Sequence, residues 1–176
     1  MNKNIQLAII LVILGVSLFF YFYSKNSTNH SSIGEGSLAV NFTLQTEDGR
    51  NLKLSNYKGK IVIINFWATW CTPCIAEIPS LNKLALQFNP EDLQILAISV
   101  DDSWRDIHDL FKQIGPPTFE VLLDREAHVM LQYGTRRLPE TYIIDREGKI
   151  VQKIIGAIDW TEKDIKEMIQ KFILEK

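Results

Sequence analysis

The chain has 176 residues, with 19 Lys and Arg against 21 Asp and Glu, a formal charge of −2, and 46% hydrophobic residues. That length suits one globular domain with an appendage, and the apolar share is large enough to build a core. The near-neutral charge, with no basic stripe, leaves no footprint of nucleic-acid binding.

The appendage comes first. Ile5 to Tyr23 is almost unbroken apolar sequence, interrupted only by Gln6, Gly15 and Ser17. About nineteen residues at roughly 1.5 Å each span about 28 Å, close to the hydrocarbon thickness of a bilayer. The aromatic cluster Phe19-Phe20-Tyr21-Phe22-Tyr23, followed by Lys25, suits a membrane interface. Residues 1–24 are therefore read as an N-terminal signal anchor with a transmembrane helix over 5–23. A cleaved signal peptide is the competing reading, but bulky aromatics stand where a small-x-small cleavage site would be. An N-terminal segment of this kind acts as an export signal, which puts the rest of the chain on the extracytoplasmic side of the membrane. Residues 25–37, rich in Asn, Ser, Thr and Gly, read as a flexible linker.

Residues 38–176 carry a globular pattern. Alternation over Asn41–Gln45 and Leu52–Leu54, around the turn signal Glu47-Asp48-Gly49-Arg50, predicts a hairpin. Ile61–Ala68 is a continuous apolar run, as in a strand covered on both faces, with Asn65 its one polar residue. A helix begins after Cys71 and places Cys74, Ile78, Leu81, Ala85 and Phe88 on one stripe, with Pro79 expected to kink it. Leu93–Val100 predicts a second buried strand, Trp104–Ile114 a helix, Val121–Leu123 a strand and Ala127–Tyr133 a short helix. Two strands follow over Tyr142–Ile144 and Ile150–Gly156. A last helix capped by Thr161 runs to Phe172. Strands alternating with helices, then a terminal hairpin and helix, give an α/β fold class.

The two cysteines of the chain, Cys71 and Cys74, lie in Trp70-Cys71-Thr72-Pro73-Cys74 at the junction of strand and helix. Unpaired N–H groups and the positive end of the macrodipole favour a thiolate at the first turn of a helix, and the thiolate is the reactive form. Cys74, one turn on, is placed to resolve a mixed disulfide at Cys71. A structural disulfide closing so short a loop would remove little denatured-state entropy. Zinc would need two more ligands, and His30, His108 and His128 show no paired ligand spacing, so no metal is assigned. A peroxidase pattern Pro-x-x-x-Thr-x-x-Cys fits neither cysteine, since Ile64 and Ala68, or Trp67 and Cys71, occupy the required positions.

Asn65-Phe66-Trp67-Ala68-Thr69-Trp70-Cys71-Thr72-Pro73-Cys74, with Glu77 and Pro79 after it, resembles the active-site segment of thioredoxin-fold proteins. It is most similar to the membrane-anchored TlpA/ResA-type thiol–disulfide oxidoreductases. Leu138-Pro139-Glu140-Thr141-Tyr142-Ile143-Ile144-Asp145, about sixty-five residues on, resembles the stretch of that family where a cis-proline faces the active site. The resemblance implies a thioredoxin-like fold with an N-terminal β-hairpin and a central strand–helix insertion. It implies dithiol–disulfide exchange through a redox disulfide Cys71–Cys74 without a cofactor, with Glu77 tuning the cysteines and Trp70, Leu138 and Pro139 at the substrate. Asn65 stands where ordinary thioredoxins carry a buried aspartate. Read from spacing alone, Glu77 is either a partly desolvated carboxylate near Cys74 or a solvated helix-face residue, and Trp70 either core or docking surface. The implied partners are exported proteins with disulfides, such as the Cys-x-x-Cys-His haem site of apocytochrome c, and a membrane electron donor of the CcdA/DsbD kind. A general oxidase or isomerase, a reductase of other envelope proteins and a redox-inactive tethered binding module are the alternatives.

Overall fold

The computed structural model describes residues 12–19, 21 and 33–175. Its strands are β1 (Thr43–Gln45), β2 (Asn51–Lys53), β3 (Ile61–Trp67), β4 (Leu93–Ser99), β5 (Glu120–Leu123), β6 (Glu140–Ile144) and β7 (Ile150–Ile155). The helices of the domain are α1 (Thr72–Ala85), α2 (Trp104–Ile114), α3 (His128–Gln132) and α4 (Lys163–Leu174). All seven strands join one sheet in the order β2-β1-β5-β4-β3-β6-β7. β3, β4 and β5 run parallel; β6 pairs antiparallel with β3, β7 with β6, and β1 with β2 and β5.

β3 is buried at every residue, which explains its unbroken apolar run. Successive side chains of a strand point to opposite faces, and the core divides accordingly. Val62, Ile64 and Phe66 pack with Tyr133, Tyr142, Leu52 of β2 and Leu54 of the 3-10 turn that follows it. Ile61 and Ile63 pack with Leu81 and Leu84 of α1 and Ile169 of α4, while Trp67 joins Cys71, Cys74, Ile78 and Ile107. Truncating a residue as enclosed as Ile63 to Ala would cost about 2–5 kcal/mol. The odd positions thus face α1, so Asn65, midway along the strand, is carried to the same face as that helix.

Two local expectations shift. The buried residues of α1 are Cys74, Glu77, Ile78, Leu81 and Leu84; Ala85 is only partly buried and Phe88 lies past the helix end. Pro79 lies inside α1 as expected, on the exposed side, where the carbonyl that loses its amide donor can be met by water. Thr161 does not cap α4: its hydroxyl donates to Asp159 Oδ1 at 2.6 Å, and Glu162 occupies the N-cap without a side-chain bond.

The chain divides into two units, Met1–Ser31 and Ser32–Lys176. In the first, residues 12–19 are helical with Val12, Ile13, Leu14, Val16 and Leu18 exposed. Among the described residues no helix is long and apolar enough to cross a membrane. The transmembrane helix expected over 5–23 is thus not supported there, because residues 5–11, 20, 22 and 23 lie outside the described residues.

Candidate active site

Cys71 leaves the C-terminal end of β3 through a tight turn, its amide donating to the Ala68 carbonyl at 3.1 Å. It then caps α1 in an extended conformation (φ −94°, ψ 97°), with Pro73 in the first turn. The Cys74 amide donates to Cys71 Sγ at 3.3 Å, so one orphan donor of the helix start is aimed at this sulfur. Cys71 and Cys74 are joined as a disulfide with Cα atoms 5.3 Å apart. They differ in access: Cys71 is 7% exposed and Cys74 1%. When the bond is reduced, the helix N-terminus favours negative charge on the outer sulfur.

Glu77 is buried at 3% exposure, on the same face of α1 as Cys74. This settles the choice left open by spacing against a solvated position. Asn65 Nδ2 donates to Glu77 Oε1 at 2.8 Å and to Thr141 Oγ1 at 3.0 Å, and the Ile158 amide donates to Glu77 Oε2 at 3.3 Å. The buried indole N–H of Trp160 lies near enough to favour the charged carboxylate yet completes no hydrogen bond. Burial outweighs these donors and pushes the Glu77 carboxyl above the ordinary range. Asn65 therefore works here as a donor to Glu77, a role an aspartate at that position could fill only when protonated.

The Leu138–Pro139 peptide bond is cis. Pro139 is buried at the start of β6, its carbonyl accepting from the Gly156 amide at 2.9 Å. Leu138 is partly buried and packs against the cluster that holds Cys71 and Cys74. Trp70, at 69% exposure, is surface rather than core, whereas Trp67 is enclosed with its ring 5.7 Å from that of Phe111. His108 and His128 pair at the surface with Glu47 and Glu126; His30 lies outside the described residues.

Asp101 escaped the sequence reading, which saw only the end of a strand. It is 2% exposed, and its carboxylate is filled with donors. The Thr69 amide reaches Oδ1 and Oδ2 at 3.1 and 3.0 Å, the Thr69 hydroxyl reaches Oδ1 at 2.7 Å, and the Ser99 hydroxyl reaches Oδ2 at 2.6 Å. The end of β4 is thereby tied to the loop two residues before Cys71. The available signal was the polar residues Ser99, Asp101 and Asp102 closing an otherwise apolar strand.

A cleft of about 430 Å³, lined by Glu77, Ser80, Lys83, Ile158 and Asp159 among others, borders α1 on the side of the 157–161 loop. A larger groove of about 790 Å³ between α2 and the β1–β2 turn is lined by neither cysteine.

An α/β sheet of this topology, with a Cys-x-x-Cys disulfide at a helix N-terminus and a cis-proline leading the antiparallel strand, defines a thioredoxin-like thiol–disulfide oxidoreductase. Residues 36–153 match the AhpC/TSA family. The chain is 33% identical over 169 residues to the thiol-disulfide oxidoreductase ResA of Geobacillus thermodenitrificans, covering 96% of this chain and 95% of that relative. It is 36% identical over 149 residues to ResA of Bacillus subtilis, covering 85% and 83%. The solved structure of a candidate thiol:disulfide interchange protein DsbE from Chlorobium tepidum superposes with a TM-score of 0.70 at 29% identity, over 81% of this chain and 97% of that one. The chain belongs to the AhpC/TSA family, as an enzyme of thiol–disulfide exchange similar to ResA. That chemistry implies protein substrates with disulfides.

Proposed function

We propose that the protein is an extracytoplasmic reductase of disulfides in exported proteins, with the Cys-x-x-Cys-His haem site of apocytochrome c as its substrate in cytochrome c maturation. The observation that carries this reading is the redox pair at the start of α1 with a buried Glu77 one turn beyond it.

In the reduced enzyme, the Cys71 thiolate attacks one sulfur of the substrate disulfide. A Cys71–substrate bond forms, the substrate S–S bond breaks, and the departing sulfur takes up a proton. Cys74 then attacks Cys71 Sγ, regenerating the Cys71–Cys74 disulfide and releasing the second substrate thiol. Two electrons pass from enzyme to substrate. Glu77, buried one turn beyond Cys74 with its proton affinity raised by desolvation, receives the Cys74 proton as that thiol becomes nucleophilic. Leu138 and Pro139 orient an extended substrate segment beside the pair, a form of strand addition, and exposed Trp70 supplies apolar contact at its edge.

A reductase in an oxidising compartment needs a continuing supply of electrons, for which a membrane dithiol donor of the CcdA/DsbD kind is the fitting source. The apolar run Ile5–Tyr23 and the exposed apolar side chains of the helical residues 12–19 support a membrane anchor, with residues 25–37 as tether and the domain on the outer side. The single-pass arrangement keeps the pair within reach of such a donor.

The test is the reduction potential of the Cys71–Cys74 couple, read by equilibration with glutathione or dithiothreitol. A reductase gives a value well below the compartment's poise, in the region of thioredoxin at about −270 mV; a value near −120 mV would make the protein an oxidant. A Cys74→Ser variant traps the Cys71–substrate disulfide, and recovery of apocytochrome c in that adduct is the expected outcome.

A further inference from the structure

Arg136 and Arg137 immediately precede Leu138 and Pro139, and both are exposed. Arg50, Arg105 and Arg146 each face a carboxylate within 4.0 Å. Arg136 and Arg137 make no ion pair and no side-chain hydrogen bond among the described residues. The span that carries them is fastened at both ends. Thr135 is fully enclosed, its amide donating to the Met130 carbonyl at 3.1 Å and its hydroxyl 3.0 Å from the Tyr142 hydroxyl. Pro139, at the other end, is buried and tied to the Gly156 amide.

Two permanent positive charges are therefore presented on a short, anchored stretch next to Leu138, which itself packs against the cysteine cluster. The nearby carboxylates do not neutralise them. Glu140 is buried and paired with Lys153, and Asp101 is filled by Thr69 and Ser99. Asp102, the exposed acid, follows the end of β4, on the far side of β3 from β6. The rim of the site is thus basic on the β6 side and acidic on the β4 side.

The geometry points to Arg136 and Arg137 as a specificity element that selects polypeptide disulfides flanked by Asp or Glu. This rests on the reading that substrates dock beside Leu138 and Pro139. Carboxylates on the incoming segment meet uncompensated guanidinium groups, which donate to them in bidentate fashion and steer the encounter. Exposed pairs contribute modestly one at a time, so two together give about a tenfold preference at low ionic strength.

The experiment uses the full chain and three peptides with an identical Cys-x-x-Cys disulfide, flanked by Asp/Glu, by Ser/Gln or by Lys. The readout is the ratio of kcat/KM between peptides, which cancels any loss of folded enzyme. The expected ratio of acidic to basic peptide is about ten at low salt, shrinking as salt rises, and falls close to one in Arg136→Gln/Arg137→Gln. Lys58→Gln, ahead of the N-terminal end of β3 and so at the opposite end of that strand from Cys71, keeps the wild-type ratio. Equal rates on the three peptides, or a ratio untouched by the double substitution, overturn the assignment while leaving thiol exchange standing. A double variant that keeps the ratio but loses binding to phosphatidylglycerol vesicles also overturns it, in favour of a lipid surface. Absence of exchange with every peptide and with dithiothreitol overturns the underlying reading as well.

Discussion

Glu77 and Asp101 are both carboxylates sealed close to the redox pair, at 3% and 2% exposure, and they are held in opposite ways. Asp101 lies at the mouth of β4 and accepts from an amide and two hydroxyls, so that each oxygen serves two contacts. Glu77 lies inside α1 with one donor on each oxygen, at 2.8 and 3.3 Å, and an indole N–H that falls short of a bond. Burial of Glu77 outweighs its few donors, and its carboxyl is pushed above the ordinary range. Asp101 is tied in place by the groups that fill it; Glu77, left short of donors, can take and return a proton.

The contrast can be broken from its strongest side first. Glu77→Gln keeps the shape and removes proton acceptance, so exchange near neutral pH should slow by about 10²-fold, measured as peptide disulfide reduction. An unchanged rate would reduce Glu77 to a packing residue. The same variant tests the linkage sign. Glu77 binds its proton more tightly folded than unfolded, so its contribution to stability is fully present below the ordinary glutamate value of 4.5 and is lost as pH rises through the raised folded pKa. Thermal unfolding of the wild type should therefore weaken relative to Glu77→Gln on going from acid to neutral pH; parallel pH profiles would contradict the shift.

Asp101→Asn should do the reverse, lowering stability by about 1–3 kcal/mol through donors left unmet, with a smaller change in exchange rate. Urea midpoints and rates measured on the same samples separate the two effects. Asn65→Asp sharpens the comparison from between, because a second carboxyl would stand where Asn65 donates to Glu77 at 2.8 Å. One of the two must then keep a proton, and the pH at which the rate rises should move upward. Ser99→Ala removes one of the donors to Asp101 and should cost about 1 kcal/mol with an unaltered pH profile.

Much of this was legible in the chain because the signals are local. The apolar run of β3, the cysteine spacing and the turn at Glu47–Arg50 each depend on a few neighbouring residues, and the strands and helices followed within a residue or two except at the end of α1, which stops at Ala85 rather than reaching Phe88. The hidden parts depend on contacts distant in sequence. Glu77 takes its character from Asn65 twelve residues back and Ile158 eighty-one ahead. Asp101 acquires its function only when β4 lies parallel to β3 and its end meets Thr69. Thr161 misled for the complementary reason: a hydroxyl that can cap a helix can equally bond the aspartate two residues before it, and Asp159 won.

The unequal depth of the two sulfurs has a kinetic consequence. With Cys74 at 1% exposure behind Cys71 at 7%, a partner protein enters and leaves by the same atom. Departure then depends on an event inside the chain, first order and indifferent to how much free thiol or waiting substrate surrounds it. The dwell time of each client is written into the packing of one helix turn, so crowding can lengthen the queue but cannot hurry the exit.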